Sequence, residues 1–373
     1  MTQLPRLFKT TKTGATQICD ISYSGNTFTV TWGQLDGKVQ SKDTACAGTN
    51  IGRSNERSPF QQAEFEALAK HKKKVDSGYS LSMETPSEVL LAQKVKVYQD
   101  HKDKIEFPCI VMAKLNGVNA EYRLNGDILQ LLSRGGLNYD LIPHQIPVIR
   151  DIMKKLDLTS MNGEMYDHGE YLEDITSRVK KHKEGTENLK FYVFDFPTAG
   201  TTDEESLILL DYIRDYVKEN DLIHAVRPMG YEIVNSHDEI EALFEEATAA
   251  RCEGLIIRNM KNKYTYNVRS SNVFKYKKAQ DTERRIIGMD IDKNGNPTLI
   301  LDNPEGAEEK HKTLRVTPKG TKAEREQIIE DYEAKYQNKW YKFEFEMYSK
   351  YNVPLKPIGI GLRDCDEDGN PRE

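Results

Sequence analysis

Long apolar runs are missing: nothing in the 373 residues approaches the ~18–20 consecutive apolar residues of a membrane-spanning helix. The opening MTQLPRLFKTTKTG has no apolar stretch of the secretory kind, so a cytoplasmic protein with no membrane partner is expected. Cysteine is sparse. Cys19, Cys46, Cys109, Cys252 and Cys365 are odd in number and scattered, with no pair at C-x-x-C spacing, which argues against a zinc or redox centre and for reduced thiols. A polybasic balance is also lacking, since 53 Lys and Arg face 59 Asp and Glu for a net charge of −6. Any nucleic-acid partner must therefore be met by a local surface. No internal repeat or low-complexity tract is present.

What the chain does have is 38% hydrophobic and 30% charged residues, enough for real cores and a wet surface, and a length that predicts two or three domains. Residues 1–80 carry eleven Lys and Arg against seven Asp and Glu, so a local excess of four ends at a charge boundary near residue 80. Alternation in Ile18–Tyr23 and Thr27–Trp32 around Gly25-Asn26 predicts a hairpin. Ser58 to Tyr79 predicts a helix with Phe60, Phe65, Leu68 and Ala69 on one face, lysines at its C-terminal end and Gly78 as its stop. A linker is expected over Ser82–Pro86 and a further helix over Glu88–Asp100.

From Phe107 to about Lys278 the pattern is α+β. Strands are predicted at Cys109–Met112, Ala120–Leu124, Ile128–Ser133, Lys190–Phe194, Gly254–Ile257 and Val273–Lys275, and helices at Val148–Lys155, Glu204–Glu219 and Asp238–Ala250. Beyond Arg285, the strand-like segments Arg285–Asp292, Thr298–Asp302, Lys312–Val316 and Trp340–Tyr348 surround a polar helix, Lys322–Tyr336, as in a small β-barrel. The acidic stretch Asp364–Glu373 is expected to be mobile.

Five short motifs carry the chemistry. Lys114-Leu115-Asn116-Gly117 follows an apolar strand. A lysine there is either a solvated surface residue or one whose stem is desolvated and whose amine enters a cleft as a nucleophile. Gly117 would let the backbone approach a phosphate. Asn162-Gly163-Glu164, Phe191 to Asp195 and Glu253-Gly254-Leu255-Ile256-Ile257-Arg258 come next, each readable alone as an edge carboxylate or core aromatics. In Phe274-Lys275-Tyr276-Lys277, the period of a strand puts both lysines on one face and both aromatics on the other, suited to a polyanion or to a charged edge strand.

In this order, K-x-N-G, N-G-E, F-x-V-F-D, E-G-L-I-I-R and F-K-Y-K resemble the motif series of the covalent nucleotidyltransferases, which comprise ATP-dependent DNA ligases, RNA ligases and capping enzymes. The resemblance runs to the C-terminus, where Gly361-Leu362-Arg363-Asp364 looks like the closing R-x-D motif of DNA ligases. It implies an α+β architecture: a central nucleotidyltransferase (ATP-grasp-like) domain over residues 83–279 and an OB-fold barrel over 280–373. Residues 1–82, with Val30-Thr31-Trp32-Gly33-Gln34 and Gly78-Tyr79, are similar to a WGR domain, a module associated with nucleic-acid binding, although Gln34 replaces its arginine.

The same resemblance implies ATP and Mg²⁺ as cofactors, nicked duplex DNA as partner and a monomeric enzyme. Lys114 would form the lysyl-adenylate, Glu164 would hold the ribose and Phe194 would stack on adenine. Glu253, together with Glu164, would bind the metal, and Lys275 and Lys277 would neutralise the α-phosphate. Arg134, in an S-R-x-G context, would grip a 5′-phosphate, and Arg363 would orient pyrophosphate. The chain departs from the ligase pattern K-x-D-G-x-R at Asn116 and Asn119, amides where charges are usual. Those two positions keep alive an RNA ligase and a catalytically lapsed nucleic-acid-binding scaffold. NAD-dependent ligases are disfavoured, since their four-cysteine zinc site has no counterpart.

Overall fold

Two short strands, β1 (Thr2–Gln3) and β2 (Leu7–Thr10), pair with β3 (Thr16–Ser24), which the Gly25-Asn26 turn returns as β4 (Thr27–Gln34). The computed structural model describes every residue except Lys12, 82–89, Lys278, Lys293, Asn294 and Glu373, so the linker expected at Ser82–Pro86 lies outside the described residues. The chain divides into two units, Met1–Ala92 with Leu132–Asn138, and Gln93–Leu131 with Tyr139–Glu373.

In the first unit β5 (Val39–Ala45) adds to β4, and the sheet buries Leu7, Cys19, Ile21, Tyr23 and Val30 against Ala67 of helix α1 (Pro59–Asp76). The helix begins in a capping box: Ser58 Oγ accepts from the Gln61 amide at 3.3 Å, and Gln61 Oε1 accepts from the Ser58 amide at 2.8 Å. Its buried face differs from the predicted one. Gln62, Ala63 and Ala67 are the buried residues, Ala67 packing on the sheet, whereas Phe60, Phe65, Leu68 and Ala69 remain exposed. Small residues let the helix lie close on the strands, and Phe65 is instead covered by the Arg57 guanidinium, 3.8 Å from its ring centre.

In the second unit, the described part of the helix expected over Glu88–Asp100 contains a strand instead, β6 (Lys94–Val97). Strand pairing with a distant segment outweighs the helical spacing, and Tyr98 just beyond it is fully buried with its hydroxyl 2.7 Å from His237 Nδ1. There follow β7 (Cys109–Lys114), β8 (Val118–Asn125), β9 (Ile128–Ser133) and β10 (Asn138–Tyr139), of which Leu132–Asn138 group with the first unit, then α2 (Ile146–Lys155), β11 (Ser160–Tyr166), α3 (Leu172–Lys180) and β12 (Lys190–Asp195). Then come α4 (Asp203–Glu219), β13 (Val226–Pro228), β14 (Glu232–Val234), α5 (His237–Ala249), β15 (Gly254–Asn259) and β16 (Arg269–Tyr276).

These strands form two sheets, in the orders β10-β9-β8-β11-β12-β13 and β14-β7-β15-β16-β6. The unbroken apolar run of β7 has a simple cause. Ile110 and Met112 belong to the core shared with β8, β11 and β12, while Cys109 and Val111 belong to the core under α5 with Ile240 and Phe244. A strand buried on both faces needs no polar alternation.

A closed barrel completes this unit: β17 (Gln280–Ile291), β18 (Pro297–Asp302), β19 (Thr313–Pro318), β20 (Trp340–Phe345) and β21 (Ile358–Arg363) pair in the order β17-β18-β19-β21-β20, and β20 returns to β17. Helix α6 (Lys322–Asp331) ends earlier than expected and passes into a π turn over Tyr332–Tyr336. Ile286, Leu299, Leu301, Val316 and Phe343 fill the interior. The acidic stretch expected to be mobile is tied down as far as Arg372: Cys365 is buried and bridges to Pro371, and the Arg372 amide donates to Asp364 O at 3.0 Å. Among the described residues no helix is long and apolar enough to cross a membrane.

Candidate active site

Strand β7 ends at Lys114, and three residues later Gly117 enters β8 against β11. A Cβ at Gly117 would lie 2.4 Å from Met165 O and 2.8 Å from Glu164 Cγ, and the Gly117 amide donates to Glu164 Oε1 at 3.2 Å. The glycine of K-x-N-G is thus demanded by its contact with β11, and the expected approach to a phosphate is not what its surroundings explain. Gly254 of the E-G motif is as constrained, with φ of 147° and Tyr276 O only 2.0 Å from where a Cβ would stand. Both glycines dock the motif backbones on one another.

This docking gathers the charges. Lys114 Nζ donates to Glu253 Oε2, Glu253 Oε1 accepts from Lys277 Nζ at 3.2 Å, and the Glu253 amide donates to Lys114 O at 2.8 Å. The side chains of Lys114, Glu253 and Lys277 are 23%, 13% and 21% exposed, so the pairs are only partly screened by water. Lys277 also donates to Glu346 of the barrel, whose other oxygen accepts from Lys356 Nζ at 2.6 Å. Burial lowers the Lys275 pKa, and the neighbouring Lys277 and Lys114 cations lower it further. For Lys277 burial pulls the same way, but the Glu346 hydrogen bond and the Glu253 charge prevail and its pKa is raised.

The back of β16 fixes this arrangement. Phe274 is fully buried, and Tyr276 stacks on Phe244 with ring centres 4.0 Å apart while its hydroxyl donates to Glu241. Lys114, Lys275 and Lys277 set against the carboxylates of Glu253 and Glu346 still leave an excess of positive charge, which suits a polyanion. Glu164, half-buried on β11, is opposite Tyr192 in the β11–β12 register. Phe194 is on the same face of β12 as Tyr192, half-buried, with the Arg258 guanidinium 5.7 Å from its ring centre.

The remaining expected residues sit elsewhere. Arg134 is exposed in the turn between β9 and β10, which Ser133 closes by accepting the Gly136 amide at 2.8 Å. Arg363 is exposed at the end of β21, opposite Trp340 of β20. The barrel residues that touch the lysine cluster are Glu346 and, through it, Lys356. Among the described residues no group of three or more His, Cys, Asp or Glu gathers as a metal cage.

Several partners escaped the sequence reading. Asp195 and Arg258, the last letters of two motifs, form a buried bidentate pair in which Arg258 Nη2 donates to Asp195 Oδ2 at 3.1 Å. Asp203, at the start of α4, lies 3.5 Å from the same guanidinium and accepts from Asn262 Nδ2 at 2.9 Å. Burial, offset in part by Arg258, raises the Asp203 pKa to about 6. This triad ties β12, β15 and α4 together. Asn116 Nδ2 meets Met347 Sδ at 3.0 Å, and Asn119 Nδ2 donates to Asn162 Oδ1 at 2.9 Å. The motif order could have flagged Asp195 and Arg258, but no local signal marks Met347 or Glu346.

Residues 89–277 match the family model described as "ATP dependent DNA ligase domain". A curated relative, DNA ligase 1 of Methanosarcina barkeri, is 25% identical over 224 residues, covering 54% of this chain and 40% of that protein. A DNA ligase of Nitrosopumilus maritimus is 26% identical over 226 residues, covering 55% of this chain and 37% of its own. The chain therefore spans about two fifths of the length of these relatives. Among solved structures, one from a structure–function study of Lig E DNA ligases shares the fold with a TM-score of 0.56 at 20% identity, covering 73% of this chain and 99% of that one.

Proposed function

The chain belongs to the ATP-dependent DNA ligase domain family, and from that premise we propose that it seals nicks in duplex DNA at the expense of ATP. The observation that carries this reading is the sharing of the Glu253 carboxylate by Lys114 and Lys277, with Lys275 as a close cationic neighbour. Lys114 Nζ, freed of one proton, attacks the α-phosphorus of ATP. A P–N bond forms, the bond to the bridging oxygen breaks, and pyrophosphate leaves. Lys275 and Lys277 face the charge that builds on the phosphate oxygens. AMP then passes to the 5′-phosphate at the nick, and attack by the 3′-hydroxyl closes the strand and releases AMP.

Glu164, positioned by the Gly117 amide, is assigned to the ribose, and Phe194 to stacking on adenine. A Mg²⁺ ion accompanying the nucleotide would be held by the hard carboxylate oxygens of Glu253 and Glu164, Glu253 giving up hydrogen bonds from Lys114 and Lys277 to it, together with the phosphates themselves. Such an ion supplies charge neutralisation on the phosphates. Residues 280–373 are assigned to an OB-fold and 83–279 to the adenylating domain. Arg363, exposed on β21, is assigned to the pyrophosphate, a role that requires the barrel to move during the cycle. Residues 1–82, with their local excess of four positive charges, are assigned to a WGR-like domain that tracks the DNA backbone, and Arg134 to the 5′-phosphate.

Sealing of matched nicked duplexes of DNA, RNA and hybrid tests the assignment. ATP-dependent sealing of the DNA nick supports it. Sealing of RNA alone makes the protein an RNA ligase, and binding without any adenylation makes it a scaffold.

A further inference from the structure

Three residues of the loop after β20 reach out of the barrel. Glu346 takes a hydrogen bond from Lys277, Met347 Sδ takes one from Asn116 Nδ2 at 3.0 Å, and Lys350 Nζ stands 2.7 Å from Asp174 Oδ1 on α3. The first two contacts flank Lys114: Asn116 lies two residues along the chain from it, and Lys277 lies across the shared Glu253 carboxylate. Glu346 is 29% exposed at its side chain although burial opposes its charge, and the hydrogen bonds of Lys277 and Lys356 win, lowering its pKa. Lys356, 72% exposed, could be left to water without Glu346. The partner that draws the carboxylate inward is Lys277.

A carboxylate and a phosphate present the same kind of anionic oxygen to an ammonium. We propose that Glu346 competes with the phosphates of ATP for Lys277, and that the loop 346–350 is a latch which ATP must open to reach Lys114. This rests on the proposed role of Lys277 at the α-phosphate. The departure of Asn116 from the usual aspartate fits the latch, because an amide can donate to the Met347 thioether whereas a carboxylate would set a charge against it without a hydrogen bond. Glu346 is thus a positioning residue: it acts on the reaction through Lys277 and through the placement of the barrel.

The test uses the full chain in three forms: unaltered, Glu346→Gln, and Glu344→Gln as a charge-matched control whose carboxylate pairs with Lys319 of the barrel at 3.3 Å. Single-turnover formation of the AMP adduct is followed across ATP concentrations. Glu346→Gln should lower the half-saturating ATP concentration roughly three- to tenfold, the range of a partly buried charge pair, with little change in the limiting rate. Glu344→Gln should move neither. An unchanged or raised half-saturation in Glu346→Gln overturns the competition. Small-angle scattering of the same three proteins without nucleotide reads the latch directly: Glu346→Gln should have the larger radius of gyration, and equal radii overturn the latch. If even the unaltered chain forms no adduct, the ligase reading fails, while the scattering comparison still decides the latch.

Discussion

Replacing Arg258 by Met removes the cation from the Asp195–Arg258–Asp203 triad while keeping much of its volume. The side chains of Arg258, Asp195 and Asp203 are 6%, 10% and 5% exposed, so solvent cannot take over the missing pairing. Breaking a buried pair from one side costs about 3–5 kcal/mol. At ~2–4 °C per kcal/mol for a domain of this size class, the melting temperature of the unit carrying the triad should fall by roughly 6–20 °C.

The loss should also depend on pH. Burial raises the folded-state pKa of Asp203 to about 6, Arg258 opposing and Asp195 adding to the rise. A carboxyl whose pKa rises on folding stabilises below its unfolded value of about 4, and that contribution is lost as pH climbs through the folded value. Without Arg258 the rise must be larger, so the variant recovers part of its stability by taking up a proton. Thermal and denaturant melts of both proteins at pH 5 and pH 8 should therefore show the larger deficit at pH 8. A deficit under about 1 kcal/mol at pH 8, or an equal deficit at both pH values, refutes the structural role of the triad.

Gly117→Ala drives a methyl into Met165 O and Glu164 Cγ, so a loss of roughly 1–3 kcal/mol in melts and a weaker ATP dependence of adduct formation are expected, and unchanged behaviour in both would contradict the docking of β8 on β11. Asn116→Asp should keep the ability to form the adduct, read by intact mass, and complete loss would show that the amide has a role of its own. A chain beginning near Ser82 should still adenylate but bind nicked DNA less tightly, with a salt dependence shallower by about 0.9 in log–log slope for each phosphate it no longer neutralises; equal slopes in the two chains would remove the DNA-tracking role from the N-terminal domain.

The strand β7 was legible because burial on both faces leaves a continuous apolar run, and the Lys275/Lys277 pattern because a strand with one face packed on a core separates charges from aromatics. Strand β6 was not. Val95 and Tyr98 satisfy helical spacing as well as Val95 and Val97 satisfy alternation, and the decision came from β16, far along the chain. The buried face of α1 was misplaced because hydrophobicity favours phenylalanine, whereas close packing of a helix on a sheet favours Ala63 and Ala67. The carboxylate on Lys277 and the thioether on Asn116 come from the barrel, the latter 231 residues away in sequence, and pairings of that kind leave no local periodicity to read.

The chemistry of the site depends on Lys114 being the residue that takes AMP. Peptide mapping by mass spectrometry after incubation of the full chain with ATP and Mg²⁺ tests this directly, beside a Lys114→Ala variant whose melting curve shows that it remains folded. A single AMP is predicted on the peptide containing Lys114 and none on the folded variant. An adduct that persists in Lys114→Ala, or that maps to another lysine in the unaltered chain, contradicts it.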